Sequence, residues 1–250
     1  MPTSRPEFWR EDLQALAATL TRFHPDAFSK TTQAGFNASV SELNQAIPSL
    51  SEAEIIVGLA RIAALAGDAH TRLFLASAQT GFRTYPIRLQ WLGDGLFVTQ
   101  TIPDLRQLLG KRLAVIGTLG IEQALQAIAP AISHENRSWL ERVGASYLVI
   151  PEVLFAAGIL SVPGAAVFGF NDESGGAIAL SIAPVQRAPL EWLTAPDSDQ
   201  FPLPLYRREP SMGYWFRYLS ASRTAYLKYN ICENTETLQV PGRLGVSSCL

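Results

Sequence analysis

Gly67-Asp68-Ala69-His70-Thr71-Arg72-Leu73 stands where this 250-residue chain changes character. Before it, apolar residues recur at helical spacing; after it, they gather in short, strand-like runs. Glycine closes helices readily. An acid, an imidazole, a hydroxyl and a guanidinium packed directly behind it make the titratable cluster that binding and catalytic loops carry. His70 is one of three histidines in the chain. On the residues alone it has two readings. It can cap free helix carbonyls, where the dipole favours it, or it can serve as a base, since its unperturbed pKa lies near neutrality.

Upstream, the spacing predicts three helices. Ser4 and Glu7 have capping-box spacing, Pro6 suits a first turn, and Leu13, Leu16, Leu20 and Phe23 form the stripe that His24-Pro25 ends. Phe36, Val40, Leu43 and Ile47 make a second stripe, stopped by Pro48. Ser51 and Glu54 open a third helix whose apolar residues run from Ile55 to Ala66.

Downstream, Tyr85 to Leu92 and Leu96 to Ile102 read as strands around the turn Gly93-Asp94-Gly95. Pro103 to Leu109 reads as a short helix, Arg112 to Ile116 as a strand and Ile121 to Ile128 as a helix. Residues 133–160 read as a helical insertion with Ser133 as N-cap and Pro151 as the break. Ala166 to Phe170 and Ala177 to Ile182 flank a hairpin signal at 171–176. Six of the 16 prolines fall between Pro184 and Pro210, which reads as a linker or surface loop over 187–212. Tyr214 to Leu219 and Thr224 to Tyr229 read as two further strands. Residues 233–250 lose periodicity.

Composition narrows the function. A formal net charge of −2 with no basic run argues against nucleic acid as a partner. The most apolar stretch, Tyr147 to Leu160, is broken by Pro151, Glu152 and Gly158, so no membrane span is expected. No signal peptide is visible, which leaves cytoplasmic as the default compartment. Both cysteines, Cys232 and Cys249, sit near the end, and the histidines lack metal-ligand spacing, so neither a metal nor a cofactor is expected. His24 reads as a helix-terminus residue and His134 as solvent-facing. Trp139, Phe155, Trp192, Tyr214, Trp215 and Phe216 read as core or interdomain contacts.

These residues, in this order, resemble the tail-specific and tricorn-like serine peptidases, the C-terminal-processing peptidase family. His24-Pro25 follows the first helix. Gly67-Asp68-Ala69-His70-Thr71 is similar to that family's Gly-Asp-Gly-His-Thr signature. Gly93-Asp94-Gly95-Leu96-Phe97-Val98 and Leu109-Gly110-Lys111-Arg112-Leu113-Ala114-Val115-Ile116-Gly117 resemble parts of its PDZ-like domain, with Lys111 where aspartate is usual. Ser222 to Asn230 resembles the first strand of its protease core.

The resemblance implies an α+β multidomain fold: an N-terminal three-helix domain over 1–82, a PDZ-like domain over 83–186 with its helical insertion, and over 213–232 the start of an α/β protease core, truncated before the family's nucleophilic serine. It implies a serine-type peptidase acting on a peptide or protein substrate, with His70 as general base. Asp68, Thr71 and Arg72 are the candidates to support it, although Asp68 also reads as a turn-former and Arg72 as a surface pair. A hydroxyl needs such a base, and the base needs a third group to orient it. Ala69 cannot supply that hydrogen bond through its side chain. Leu96, Phe97 and Val98 are the candidate strand for peptide binding, which gives the alternative of a non-catalytic peptide-binding or interaction module. Oligomeric state stays open.

Overall fold

The computed structural model describes residues 5–171, 176–194 and 204–231. The fold is α+β, and the chain forms two compact units, Met1–Ala195 and Pro196–Leu250. In the first unit, helices α1 (Arg5–Phe23), α2 (Gln33–Ala46) and α3 (Glu52–Ala64) pack together. Leu13, Leu20, Phe36, Val40, Ile47, Ile55, Leu59 and Ile62 form their shared core. The local rules explain the bounds. His24-Pro25 stops α1, Thr32 caps α2, and Ser51 with Glu54 forms the expected capping box on α3. Ser4 lies outside the described residues. Helix α3 is apolar on two faces: Ile55, Leu59 and Ile62 feed the helical core, while Val57 and Ala60 enter a second core built on the sheet. Burial on both sides makes α3 the element that joins them.

The strands are β1 (Ile87–Leu92), β2 (Gly95–Thr101), β3 (Arg112–Ile116), β4 (Leu119–Gly120), β5 (Ala166–Asn171), β6 (Ala177–Ile182) and β7 (Leu193–Thr194). They form one antiparallel sheet in the order β1-β2-β3-β5-β6, with β4 on β3 and β7 on β2. The turn at Gly93-Asp94 joins β1 and β2 in register from Leu92 against Gly95. The stretch 187–212, read as linker, in fact delivers β7 to the sheet. A two-residue strand is too short to show a period.

Helix α4 (Ile121–Ile128) follows β4, and the segment between α4 and β5 holds α5 (Arg137–Tyr147) and α6 (Pro151–Ala156). Pro151 opens α6, as expected. The cap of α5 is Asn136, whose side chain accepts from the Trp139 N–H at 2.9 Å, and not Ser133. Ser133 is buried and used elsewhere. Helix α5 packs on β1 and α6 on α3, where Arg61 donates to the Ala156 carbonyl at 2.9 Å. Arg83 and Glu152 form a shielded ion pair. Arg83 Nε donates to Oε1 at 2.8 Å, its backbone N–H to Oε2 at 3.1 Å, and its Nη2 to the Pro163 carbonyl. Those extra bonds offset the cost of desolvating both charges.

In the second unit, β8 (Tyr214–Leu219) and β9 (Thr224–Tyr229) pair as a hairpin. Tyr214 and Phe216 are exposed rather than core, together with Tyr218, Leu227 and Tyr229. Trp215 is buried and packs on Tyr226, with ring centroids 5.3 Å apart. The atypical tail, 233–250, lies outside the described residues.

Candidate functional site

The loop after α3 is shaped first by Gly67. Its φ of +69° belongs to the left-handed region, and a Cβ there would come within 1.9 Å of the Lys30 side chain. Only glycine fits. The N–H groups of Ala66 and Gly67 bond back to Ala63 and Ala64, and Ser29 Oγ donates to the Ala66 carbonyl at 2.6 Å. The last turn is therefore satisfied without His70, which removes the capping reading.

His70 instead belongs to Asp68. Asp68 Oδ1 accepts the His70 backbone N–H at 3.0 Å and faces His70 Nδ1 at 3.2 Å. Oδ2 accepts the Thr71 hydroxyl at 2.8 Å and faces His24 Nε2 at 3.5 Å. Burial alone would raise the Asp68 pKa. The His70 N–H, the Thr71 hydroxyl and the two imidazoles outweigh it and hold the carboxyl at about 2. Asp68 is thus ionised at neutral pH. Facing Nδ1, the carboxylate favours the tautomer that carries its proton there and keeps the Nε2 lone pair. The His70 side chain is 85% exposed. The question raised by Ala69 has a simple answer: orientation comes from Asp68. Ala69 contributes its backbone, whose N–H donates to Glu135 Oε1 at 2.9 Å.

His24 is the residue the sequence reading missed. Its side chain is only 12% exposed, against 35% for Asp68. The Asp26 N–H donates to His24 Nδ1 at 3.1 Å, which places the His24 proton on Nε2, toward Asp68. The available signal was the His24-Pro25 pair itself, which read as a helix stop and as part of the family resemblance but not as a site residue. His134 is half-buried, not solvent-facing, with Nδ1 against the Ile132 carbonyl at 2.7 Å.

The segment before α5 and α5 itself brace the loop. Ser133 Oγ donates to the Thr71 carbonyl at 2.5 Å. Tyr147 Oη donates to the Leu73 carbonyl at 3.1 Å and accepts the Leu75 N–H at 3.4 Å. Arg72 does not support the imidazole and, among the described residues, makes no ion pair. Its guanidinium lies over the rings of Phe74, at 4.6 Å, and Trp139, at 5.2 Å. Among the described residues no serine hydroxyl contacts the His70 imidazole.

Asp68, His70 and Glu135 present ligand atoms within 4.8 Å of one another, close enough for a cation. Asp68 and Glu135 already accept the bonds described above, and His70 Nδ1 is turned to Asp68. Leu96, Phe97 and Val98 have no free strand edge to which a peptide could add. They lie in β2, whose edges are covered by β1 on one side and by β3 and β7 on the other. Leu96 and Val98 are buried in the sheet core. The sheet ends at β6 on one side and at β1, beside α5, on the other.

No protein-family model matches the chain, and none of the curated proteins does. Solved structures do. Mature CPAF complexed with lactacystin aligns with 76% of this chain and 35% of its own, at 13% identity and a TM-score of 0.51. A serine-to-alanine mutant of CPAF aligns with 72% and 34%, at 16% identity and 0.53. Mature CPAF aligns with 89% and 46%, at 12% identity and 0.50. CPAF is a chlamydial serine protease of the tail-specific family. At these identities the likeness is one of fold, and this chain spans less than half of the length of the structures it matches. Among the described residues no helix is long and apolar enough to cross a membrane.

Proposed function

We propose that this chain is the N-terminal part of a serine-type peptidase of the tail-specific or tricorn-like kind, in which His70 is the general base. One observation carries the reading: the Asp68 carboxylate holds His70 Nδ1 at 3.2 Å while the rest of the imidazole faces outward. That is the acid-and-imidazole half of a hydrolytic triad, with the basic nitrogen presented to an incoming hydroxyl. The serine is supplied from outside the described residues. The fold shared with CPAF supports the assignment. So does the exposed row Tyr214, Phe216 and Tyr218 on β8, with Leu227 and Tyr229 across from it on β9. An isolated hairpin is marginal in water, and such an apolar face is what the opening strands of a larger sheet present.

A second reading, a non-catalytic peptide-binding module, is favoured by the open edge of β1. A groove between β1 and α5, lined by Leu89 and Trp91 on one side and Ser138 and Glu141 on the other, would accept an extended peptide as an added strand. The 83–186 segment would then be the PDZ-like part, with the groove moved from β2 to β1.

One experiment separates the two. The 250-residue chain, and its reading frame carried to the stop codon in the source DNA, are assayed for peptide hydrolysis and for fluorophosphonate labelling. Each is made as wild type and as His70→Ala. The extended protein is expected to hydrolyse peptide and His70→Ala to lose at least about a hundredfold, the range for a general base. The 250-residue chain is expected to hydrolyse none. Hydrolysis unchanged by His70→Ala overturns the catalytic assignment; peptide binding without hydrolysis in any form leaves the module.

A further inference from the structure

We infer that the hollow of about 470 Å³ bounded by β1, α5 and the segment 187–192 is a binding site for a small organic anion, a carboxylate or phosphate carried on an apolar body. It is independent of His70 and of the peptidase reading.

Three arginines from three separate elements line this hollow: Arg88 of β1, Arg142 of α5 and Arg187 of the segment that leads to β7. No Asp or Glu lines it among the described residues. Three arginine side chains on a lining that carries no carboxylate make a surface that favours an anion. The state of each guanidinium sharpens the point. Arg187 is half-buried, and its Nε and Nη2 are shielded from water without a hydrogen-bond partner. Unpaired buried donors are costly, and an oxyanion that drew the Arg187 side chain toward the hollow would supply the acceptor a guanidinium fork fits best. Burial lowers the Arg187 pKa, and only Glu152 opposes this. Glu152 is itself already held by Arg83 through both carboxylate oxygens. Arg142 is exposed and makes no ion pair among the described residues. Arg88 is held in place, with Nη1 on Gln100 Oε1 at 2.6 Å and its guanidinium 4.2 Å above the Trp192 ring.

The remaining wall selects the body of the ligand. Ile87, Val149, Leu190 and the Trp192 ring line the same hollow. A bare inorganic ion would leave these surfaces wet, and a neutral apolar molecule would leave the arginines unpaired. An amphiphilic anion satisfies both.

Calorimetric titration of the intact chain with octanoate, octyl phosphate, octanol and inorganic phosphate tests the site. Octanoate, octyl phosphate or both are expected to bind saturably, and the stronger of the two identifies the headgroup. Arg142→Gln and Arg187→Gln should each weaken that binding by about tenfold or more, the range for a lost charge-assisted hydrogen bond. Raising the salt should weaken it too. His70→Ala should leave it unchanged. Arg142 is exposed, so its substitution tests the site even if Arg187→Gln disturbs the fold. Octanol or inorganic phosphate binding as tightly as the anionic amphiphiles, affinity unaffected by Arg142→Gln, or no saturation up to about 10 mM, where binding carries little free energy, each overturns the assignment.

Discussion

At the scale of the residue, the site turns on one carboxylate. Asp68 collects a backbone N–H, a hydroxyl and two imidazoles, and the two histidines approach it in opposite tautomers. His70 offers Nδ1, and His24 offers Nε2 because the Asp26 N–H occupies its other nitrogen. Asp68 thereby converts an exposed loop imidazole into an aligned one. The arrangement has a pH signature. The carboxyl sits at about 2 in the folded protein against an ordinary 3.8, so its contribution to stability is complete above pH 3.8 and is lost as pH falls through about 2. The side chain is one-third exposed, and solvent screening trims the contribution to about 1 kcal/mol. Asp68→Asn is therefore expected to lower the urea-unfolding free energy by about 1 kcal/mol at pH 7, the gap closing toward pH 2. A difference that stays constant across that range would deny Asp68 this role. The sequence marked Asp68 and His70 because they are neighbours. It could not mark His24, whose 44-residue separation from Asp68 is spanned only when α1 folds against α3.

At the scale of the element, what the chain reveals depends on whether its pattern is local. The periods of α1, α2 and α3, the Ser51–Glu54 box and the β1–β2 turn are written in consecutive residues, and the structure follows them. Strand order is not local. Strand β3 pairs with β5 across the whole insertion, and β7 returns from a proline-rich stretch to cover β2. No periodicity can announce that, and nothing in the run Leu96 to Val98 tells that β2 is paired on both sides. The distinction is measurable. Leu96 is fully buried, and Leu96→Ala is expected to cost about 2–5 kcal/mol by chemical denaturation. A cost within about 0.5 kcal/mol, as for an exposed groove position, would return β2 to the surface.

At the scale of the molecule, the first unit is bound together across long sequence separations. Its two cores share α3, and its characteristic loop is held by Ser133, Glu135 and Tyr147, each at least 62 residues from its partner. Spacing marked the individual helices and strands and pointed to the His70 loop, while the α+β class came with the family resemblance. The braces were illegible because nothing near residue 70 predicts a serine, a glutamate and a tyrosine arriving from beyond residue 130.

Those braces bear on modularity. The stretch 1–82 looks like a transplantable cassette, yet four of the hydrogen bonds that shape its last turn come from 133–147. Grafted onto a foreign domain, 1–82 would carry the letters of the motif without its form. Its amides at Ala69 and Leu75 should exchange with solvent at least about tenfold faster than in the intact chain, each having lost a hydrogen-bond partner. Equal protection would make the cassette autonomous. The two distant stretches are therefore one structural unit, and a cut between them takes the shape of the loop away.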